Sequence, residues 1–423
     1  MSKNNKYMSR IADAMLAEKL KTSGAVQIKG PKWCGKTSTA AKIAKSVLYM
    51  QDPDQSSNFV ALAQSKPSML LEGETPRLID EWQMAPQLWD AVRFWLDKNG
   101  GRGKFILTGS STPKDEYKPA HSGVGRIARL NMRTMSLFES GESNGSVPLS
   151  DLFEGETSIG AMVNFDIEHV AHAVCRGGWP EAITEKNEKV ALKMAKNYVE
   201  ELLDSDIPEM DGKNRNKNFM TQLLRSLARN ISSEASLSTI SADTETHSLS
   251  RATVSDYVDA LTRACVIEDL QAWSPKLRSK TAIRTSPTHH FCDVSIACAL
   301  LGATPEKLMY DFETFGLLFE SLCVHDLRVY AESLGGGVWH YRDKTGLEAD
   351  AVIELLDGRW ALVEVKLGSA QIEAAATNLK KLAGRIDQKV HGKPSFLMVL
   401  TATNTAYTRE DGVHVVPLAC LKD

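Results

Sequence analysis

A multidomain α/β architecture is the fold class this sequence predicts, and three observations predict it. An alternating apolar strand ends in a glycine turn and runs into a helix within residues 24–50. From residue 218, stretches of helical period give way to two strands with a basic loop between them. From residue 312, a long helix precedes three strands that carry acids and a lysine. The length of 423 residues exceeds what one core commonly holds, and 43% apolar with 24% charged residues is ordinary globular composition.

Composition also narrows the environment. A formal net charge of −3 provides no global attraction to nucleic acid or acidic membranes, so any such attraction must be local. The seven cysteines are scattered without a C-x-x-C pair, which fits reduced thiols better than a disulfide frame or zinc site. The N-terminus has no apolar signal core, and no apolar run approaches the roughly 18 residues of a membrane span. A cytoplasmic protein without membrane association is expected.

The first element is "GAVQIKG", with Val26 and Ile28 in alternation, followed by "PKWCGKTSTAAKIAKSVLYM". Together they place G-x-x-x-x-G-K-[ST] between a strand and a helix, the context in which backbone N–H groups cradle phosphates. Gly30, Pro31, Lys32, Trp33, Cys34, Gly35, Lys36, Thr37 and Ser38 form this loop. Lys36 is expected to reach the β- and γ-phosphates of ATP, and the Thr37 hydroxyl to hold Mg²⁺. Trp33 and Cys34 are bulky, but they occupy positions the pattern leaves free.

Further along, "RLIDEWQ" leads a short apolar run into Asp80 and Glu81. At the end of a strand, Asp80 suits Mg²⁺ through water, and Glu81 suits polarising an attacking water as catalytic base. A third strand, "KFILTGSST", ends in Thr108, which lies beside the γ-phosphate if the strands are parallel and adjacent. Arg126, Arg129 and Arg133 follow within "HSGVGRIARLNMRTMSLFE". Arg126 is the first candidate for a phosphate-stabilising finger, in cis or from a neighbouring subunit, and Arg129 the second. Pairing with surface carboxylates is the alternative for each.

"GPKWCGKT", "LIDEWQ", "FILTGSS" and "HSGVGRIARLNMRTMSLFESG" together resemble a family of prokaryotic AAA+-type ATPases. The resemblance covers most of the chain. It implies an ASCE-type P-loop NTPase with a parallel sheet, a Walker A loop, a Walker B acid pair and a polar sensor strand. Rings are common among AAA+ proteins, so a homo-oligomer is one expectation, beside a monomer or dimer.

The Gly/Ser/Glu-rich stretch 141–160 reads as a connector, giving domains at 1–160, 161–285 and 286–423. In the middle domain, "NFMTQLLRSLARN", "ASLSTISAD", "LSRATVSDYVDALTRACVIEDLQAW" and "SPKLRSKTAIR" follow a winged-helix-like order. Lys276, Arg278, Lys280 and Arg284 make a basic wing, and Arg251 opens the longer helix. Contact with DNA and a protein-packing role both fit this pattern.

In the last domain, Glu320 lies on the long helix, Asp350 on one strand, and Glu364 with Lys366 on the next. Alternate strand residues face one side, so Glu364 and Lys366 project together. Three carboxylates and an ammonium suit a second Mg²⁺ or Mn²⁺ and phosphodiester chemistry, or are edge-strand charges. The constellation resembles the PD-(D/E)xK nuclease superfamily, which implies a restriction-endonuclease-like α/β domain. Glu348 is an added acid and Gln371 an auxiliary. His289, His290 and Cys292 read as structural, with Asp293 capping the helix that follows.

Two functions follow from these readings. One is an ATPase coupled to nucleic acid through a nuclease-like domain. The other is a nucleotide-regulated protein-interaction module, of defence, toxin-related or regulatory type, whose nuclease-like fold is inactive. A P-loop kinase ranks below both, because adjacent Asp80 and Glu81 favour water activation.

Overall fold

The computed structural model describes residues 7–109, 125–206, 215–243, 251–275, 286–343 and 345–423. Their contacts divide the chain into two compact units. The first comprises Met1–Thr134 with Glu201–Asn216 and Val258–Val266, and the second Met135–Glu200, Lys217–Tyr257 and Ile267–Asp423. This division differs from the expected 1–160, 161–285 and 286–423.

The first unit is built on helix α1 (Ile11–Thr22), strand β1 (Ala25–Lys29), helix α2 (Lys36–Ile43), strand β2 (Ser46–Tyr49) and helix α3 (Ser56–Ser65). Strand β3 (Arg77–Asp80), helix α4 (Gln87–Asn99), strand β4 (Phe105–Thr108) and strand β5 (Ile127–Asn131) complete it. The strands form one sheet in the order β2-β3-β4-β1-β5, and every neighbouring pair is parallel. Strand alternation supplies a core on each face. Val26, Ile28, Leu78, Ile106 and Leu130 pack with Leu16 and Leu20 of α1 and Ala40 of α2. Ile79, Phe105, Leu107 and Ile127 pack with Leu88, Trp89, Val92 and Leu96 of α4. Burial on both faces is what a parallel sheet requires.

The order matters for function. β4 lies between β1 and β3, so Thr108 is in register with Ile28 on one side and Asp80 on the other. The phosphate loop, the acid pair and the polar strand end therefore share one edge of the sheet.

In the second unit, strand β6 (Val147–Pro148) pairs with strand β14 (Leu421–Lys422). A larger sheet takes β7 (Gly160–Met162), β8 (Gly336–Arg342), β9 (Glu348–Leu355), β10 (Trp360–Lys366), β11 (Leu397–Thr401), β12 (Thr405–Thr408) and β13 (His414–Pro417) in the order β7-β12-β13-β11-β10-β9-β8. The β10–β11 and β11–β13 pairs are parallel and the others antiparallel. Helix Ile372–Arg385 lays Ile372, Ala375, Ala376, Leu379 and Leu382 against Val352, Leu362 and Val399 of this sheet. The stretch read as a connector supplies β6 and reaches β7, whose partner β12 comes from near the C-terminus.

The middle of the chain contains helices Lys217–Arg229, Leu237–Ala242 and Arg251–Arg263. Isolated antiparallel bridges join Ile267 to Phe291 and Leu270 to Thr288 where two strands are expected. The basic wing residues Lys276, Arg278, Lys280 and Arg284, and the side chain of Arg251, lie outside the described residues. Among the described residues, no helix is long and apolar enough to cross a membrane.

Candidate nucleotide site and C-terminal charge cluster

The loop from Gly30 to Gly35 leaves the end of β1 and delivers the chain into α2 at Lys36. Gly30 is required by close approach, because a Cβ there would fall 2.0 Å from the Met132 carbonyl oxygen. Cys34 is fully buried, and its Sγ lies 3.6 Å from the same carbonyl. Trp33 has a left-handed backbone (φ 64) and points outward, 45% exposed. The bulk allowed by the pattern is thus divided, with Cys34 supporting the loop from below and Trp33 standing at its rim.

Lys36 is buried and folds back on its own loop, donating to the Gly30 carbonyl at 3.0 Å and the Pro31 carbonyl at 2.6 Å. An ammonium has only donors and takes whatever acceptors are nearest, and these carbonyls line the path that phosphate oxygens would take. The Thr37 hydroxyl donates to Asp80 Oδ1 at 2.8 Å, and the Thr108 hydroxyl donates to the same oxygen at 2.6 Å. Asp80 is 1% exposed, and its Oδ2 is buried with no hydrogen-bond partner among the described residues. A carboxylate oxygen in that condition is costly, and a hydrated cation beside Thr37 would satisfy it.

Glu81 follows at the end of β3 with a left-handed backbone (φ 54, ψ 44). Such a conformation costs a non-glycine residue about 1–3 kcal/mol and concentrates at functional sites. Gln83 Nε2 donates to Glu81 Oε2.

Arg126 and Arg129 lie elsewhere, whereas the Arg133 carbonyl shares Arg10 with the Cys34 carbonyl of the phosphate loop. Arg126 precedes β5, at the edge of the sheet away from the phosphate loop, where its Nε donates to Asp97 Oδ1 at 2.8 Å. Leu130, the β5 residue level with Ile28 and Thr108, is roughly 13 Å further along at about 3.3 Å per residue. Arg126 therefore does not serve its own chain's loop and shows the surface pairing. Arg129 lies in the middle of this outer strand, exposed and in register with Gln27.

Arg10 was not singled out by the sequence, because an arginine ahead of a helix carries no motif. Its guanidinium is buried, donating to the carbonyls of Cys34 at 2.8 Å, Arg133 at 2.9 Å and Thr134 at 3.2 Å. It ties the phosphate loop to the segment after β5.

In the second unit, β9 and β10 bring Asp350, Glu364 and Lys366 together. Lys366 Nζ lies 2.9 Å from Glu364 Oε1 and 3.6 Å from Asp350 Oδ2, and the latter also accepts the Val365 N–H at 2.7 Å. Glu320, on helix Phe312–Ser333, is close enough for the charges of Asp350, Lys366 and Glu364 to act on its carboxyl. Burial raises the Glu320 and Asp350 carboxyls above their usual range. Burial and the charge of Asp350 push Glu364 up to about 7. Lys366 is raised, as its carboxylate partners outweigh burial. Among the described residues, no group of three or more His, Cys, Asp or Glu side chains is arranged to hold a metal ion. Glu348 is exposed near Arg342, and Gln371 sits at the start of helix Ile372–Arg385.

The histidine segment is structural. His289 takes Asp269 at 3.0 Å and the Ala235 carbonyl at 2.7 Å, while His290 bonds Ser321 at 3.1 Å. Asp293 caps helix Val294–Leu301 by accepting from Ser295 N–H, and also accepts the Gly178 N–H at 2.8 Å.

Residues 22–140 match the family model described as an AAA domain. Residues 167–307 and 315–421 match two domains of unknown function, DUF8612 and DUF4143. Two uncharacterized mycobacterial proteins, from Mycobacterium tuberculosis and Mycobacterium bovis, are each 22% identical over 359 residues, covering 84% of this chain and 73% of theirs. Among solved structures, a Walker-type ATPase of Pyrococcus abyssi overlaps at a TM-score of 0.43 with 12% identity, covering 70% of this chain and 96% of that one. AMPPCP-bound DnaA from Aquifex aeolicus overlaps at 0.28 with 13% identity, covering 61% and 89%. The N-terminal segment thus matches an AAA-domain family model, within an α/β protein.

Proposed function

We propose that this protein is a Mg²⁺-dependent ATP hydrolase whose nucleotide state controls what its second unit holds. The observation that carries this reading is the Asp80 carboxylate, with Oδ1 shared by the Thr37 and Thr108 hydroxyls and Oδ2 buried without a partner. Thr37 and Asp80 would hold the cation, which supplies charge neutralisation at the transferring phosphate. Lys36 exchanges the Gly30 and Pro31 carbonyls for phosphate oxygens, and Glu81 takes the proton of the attacking water. Arg126 stands just before the outer strand and Arg129 within it, so arginine assistance from these two is assigned to a neighbouring copy in a homo-oligomer.

Steady-state ATP turnover tests this reading. Lys36→Ala is expected to weaken nucleotide binding at least tenfold. Glu81→Gln is expected to keep binding and lose about 10²-fold or more in kcat, the scale of a general base. Full turnover in Glu81→Gln would remove Glu81 as the base.

For the second unit, two readings share the residues Glu320, Asp350, Glu364 and Lys366. A helix bearing Glu320 before three antiparallel strands supports a nuclease-like fold, in which a second Mg²⁺ or Mn²⁺ would serve nucleic-acid cleavage. In the other reading, the Lys366 ion pairs with Glu364 and Asp350 are structural, and an inactive fold grips a protein partner. Mg²⁺- or Mn²⁺-dependent cleavage of DNA or RNA, lost in Asp350→Ala and Lys366→Ala, would decide for the nuclease. Cleavage unchanged in Asp350→Ala would eliminate it.

A further inference from the structure

We infer that Gln83 is a second acceptor for the attacking water, seated beside Glu81 and acting with it; the inference rests on the ATP-hydrolase reading above. Three observations converge on this side chain. Gln83 lies in the single 3₁₀ turn Trp82–Met84 that immediately follows Glu81, so the left-handed backbone of Glu81 sets where both side chains go. Its Nε2 donates to Glu81 Oε2. Its Oε1 is buried and has no hydrogen-bond partner among the described residues.

The orientation of the amide is fixed by chemistry, since a carboxylate accepts and only the NH₂ end can donate to it. The remaining oxygen is pressed against the tip of β4. A Cβ on Gly109, the residue after Thr108, would lie 2.1 Å from Gln83 Oε1. This position must therefore be glycine for the amide to fit where it does. The result is an orphaned acceptor beside the strand end that carries Thr108, whose hydroxyl is bonded to Asp80. A buried amide oxygen left without a partner pays its full desolvation penalty, and such groups call for an occupant.

Water is the occupant whose chemistry suits this acceptor. A phosphate oxygen is itself an acceptor and gains nothing from Oε1. A water molecule has two protons to place, and Glu81 with Gln83 supplies two neighbouring acceptors. One O–H would go to Glu81 and the other to Gln83 Oε1, which leaves a lone pair of the water oxygen free to attack the γ-phosphorus. As the new O–P bond forms, the bond from the γ-phosphorus to the bridging oxygen breaks and its electron pair leaves with ADP. The proton passes to Glu81, and Gln83 is unchanged. Gln83 thus orients the nucleophile, as glutamines do in other P-loop hydrolases, and its N–H holds the Glu81 carboxylate in place.

The test uses the full chain with ATP and Mg²⁺. Gln83→Met keeps the size and removes both amide functions; Gln83→Ala is the second variant should the first pack poorly. The expected result is a fall in kcat on the order of 10–10²-fold, with affinity for a non-hydrolysable ATP analogue and the melting temperature unchanged. Gly109→Ala, which displaces the amide, is expected to give the same split. Because the two groups act on one water, Gln83→Met is expected to cost almost nothing further in a Glu81→Gln background. Normal kcat in Gln83→Met, a loss confined to nucleotide affinity, or additive losses with Glu81→Gln would overturn the assignment. A wild-type chain that binds the analogue but does not turn ATP over would remove the hydrolase reading itself, a separate failure from a wild type that turns over and a Gln83 variant that does so equally well.

Discussion

A histidine and an arginine show how single side chains are committed in this protein. His289 is buried, which lowers its basicity, yet the hydrogen bond and charge of Asp269 outweigh that effect and raise its pKa above the usual 6.5. The folded state therefore holds this proton more tightly than the unfolded chain does. The stabilisation is fully present below pH 6.5 and is lost as pH rises through the raised value. Between pH 6 and pH 8.5 the denaturation midpoint is expected to lose less, or gain more, with rising pH in His289→Gln than in the wild type, because four other histidines with lowered pKa set an opposing slope common to both. An equal slope in both would mean that the Asp269 pair contributes no proton linkage. Arg10 illustrates a positional role without a motif. Its guanidinium satisfies three carbonyls at once, so Arg10→Ala leaves buried acceptors unpaired at about 1–3 kcal/mol apiece when no water replaces them. The expected outcome is a lower melting temperature together with faster proteolysis at 132–135, both partly restored by bound nucleotide.

At the scale of elements, the decisive feature is the insertion of β4 between β1 and β3. It brings the Walker-type loop, Asp80 and Thr108 to one edge, since parallel strands in register end together. The same register separates Arg126 from the loop, because a residue before a strand and a residue after its neighbour lie at opposite edges. In the second unit, Asp293 joins two elements. Its carboxylate caps helix Val294–Leu301 and holds the Gly178 N–H in the Gly-Gly-Trp-Pro turn. Loss of a cap costs about 0.5–2 kcal/mol, and the buried Gly178 N–H adds its own penalty. Asp293→Ala is expected to destabilise the fold by about 2–4 kcal/mol, as read from chemical denaturation. A change below about 0.5 kcal/mol would show that the cap is replaceable.

For the whole molecule, the prediction concerns what the proposed ATP hydrolysis acts on. Turnover measured with single-stranded DNA, double-stranded DNA and RNA, at low and physiological salt, divides the two readings of the second unit. A protein-gripping unit leaves turnover unchanged by all three. Stimulation that fades with salt marks phosphate contacts and moves the assignment to the nuclease-like reading. The net charge of −3 provides no background attraction to obscure the result.

Much of the nucleotide site was legible because its signals are local. The glycines, Lys36 and Thr37 sit within one loop, and Asp80, Glu81 and Thr108 each end a short apolar strand, where periodicity and turn residues suffice to find them. Glu364 and Lys366 were legible together because alternate strand residues share a face. The rest depends on contacts between distant segments. Nothing near Arg10 points to the carbonyls of Arg133 and Thr134, and nothing near Gly160 reveals that β7 pairs with β12. Arg126 reads as a finger in cis or from a neighbouring subunit, and only strand register shows that in its own chain it lies at the far end of the sheet beside Asp97. Gln83 reads as one more polar residue in a turn until Gly109 and Glu81 are seen around it. Local chemistry can be read along the chain, whereas which strands become neighbours, and which polar atoms are left without partners, is decided by burial and hydrogen-bond closure in three dimensions.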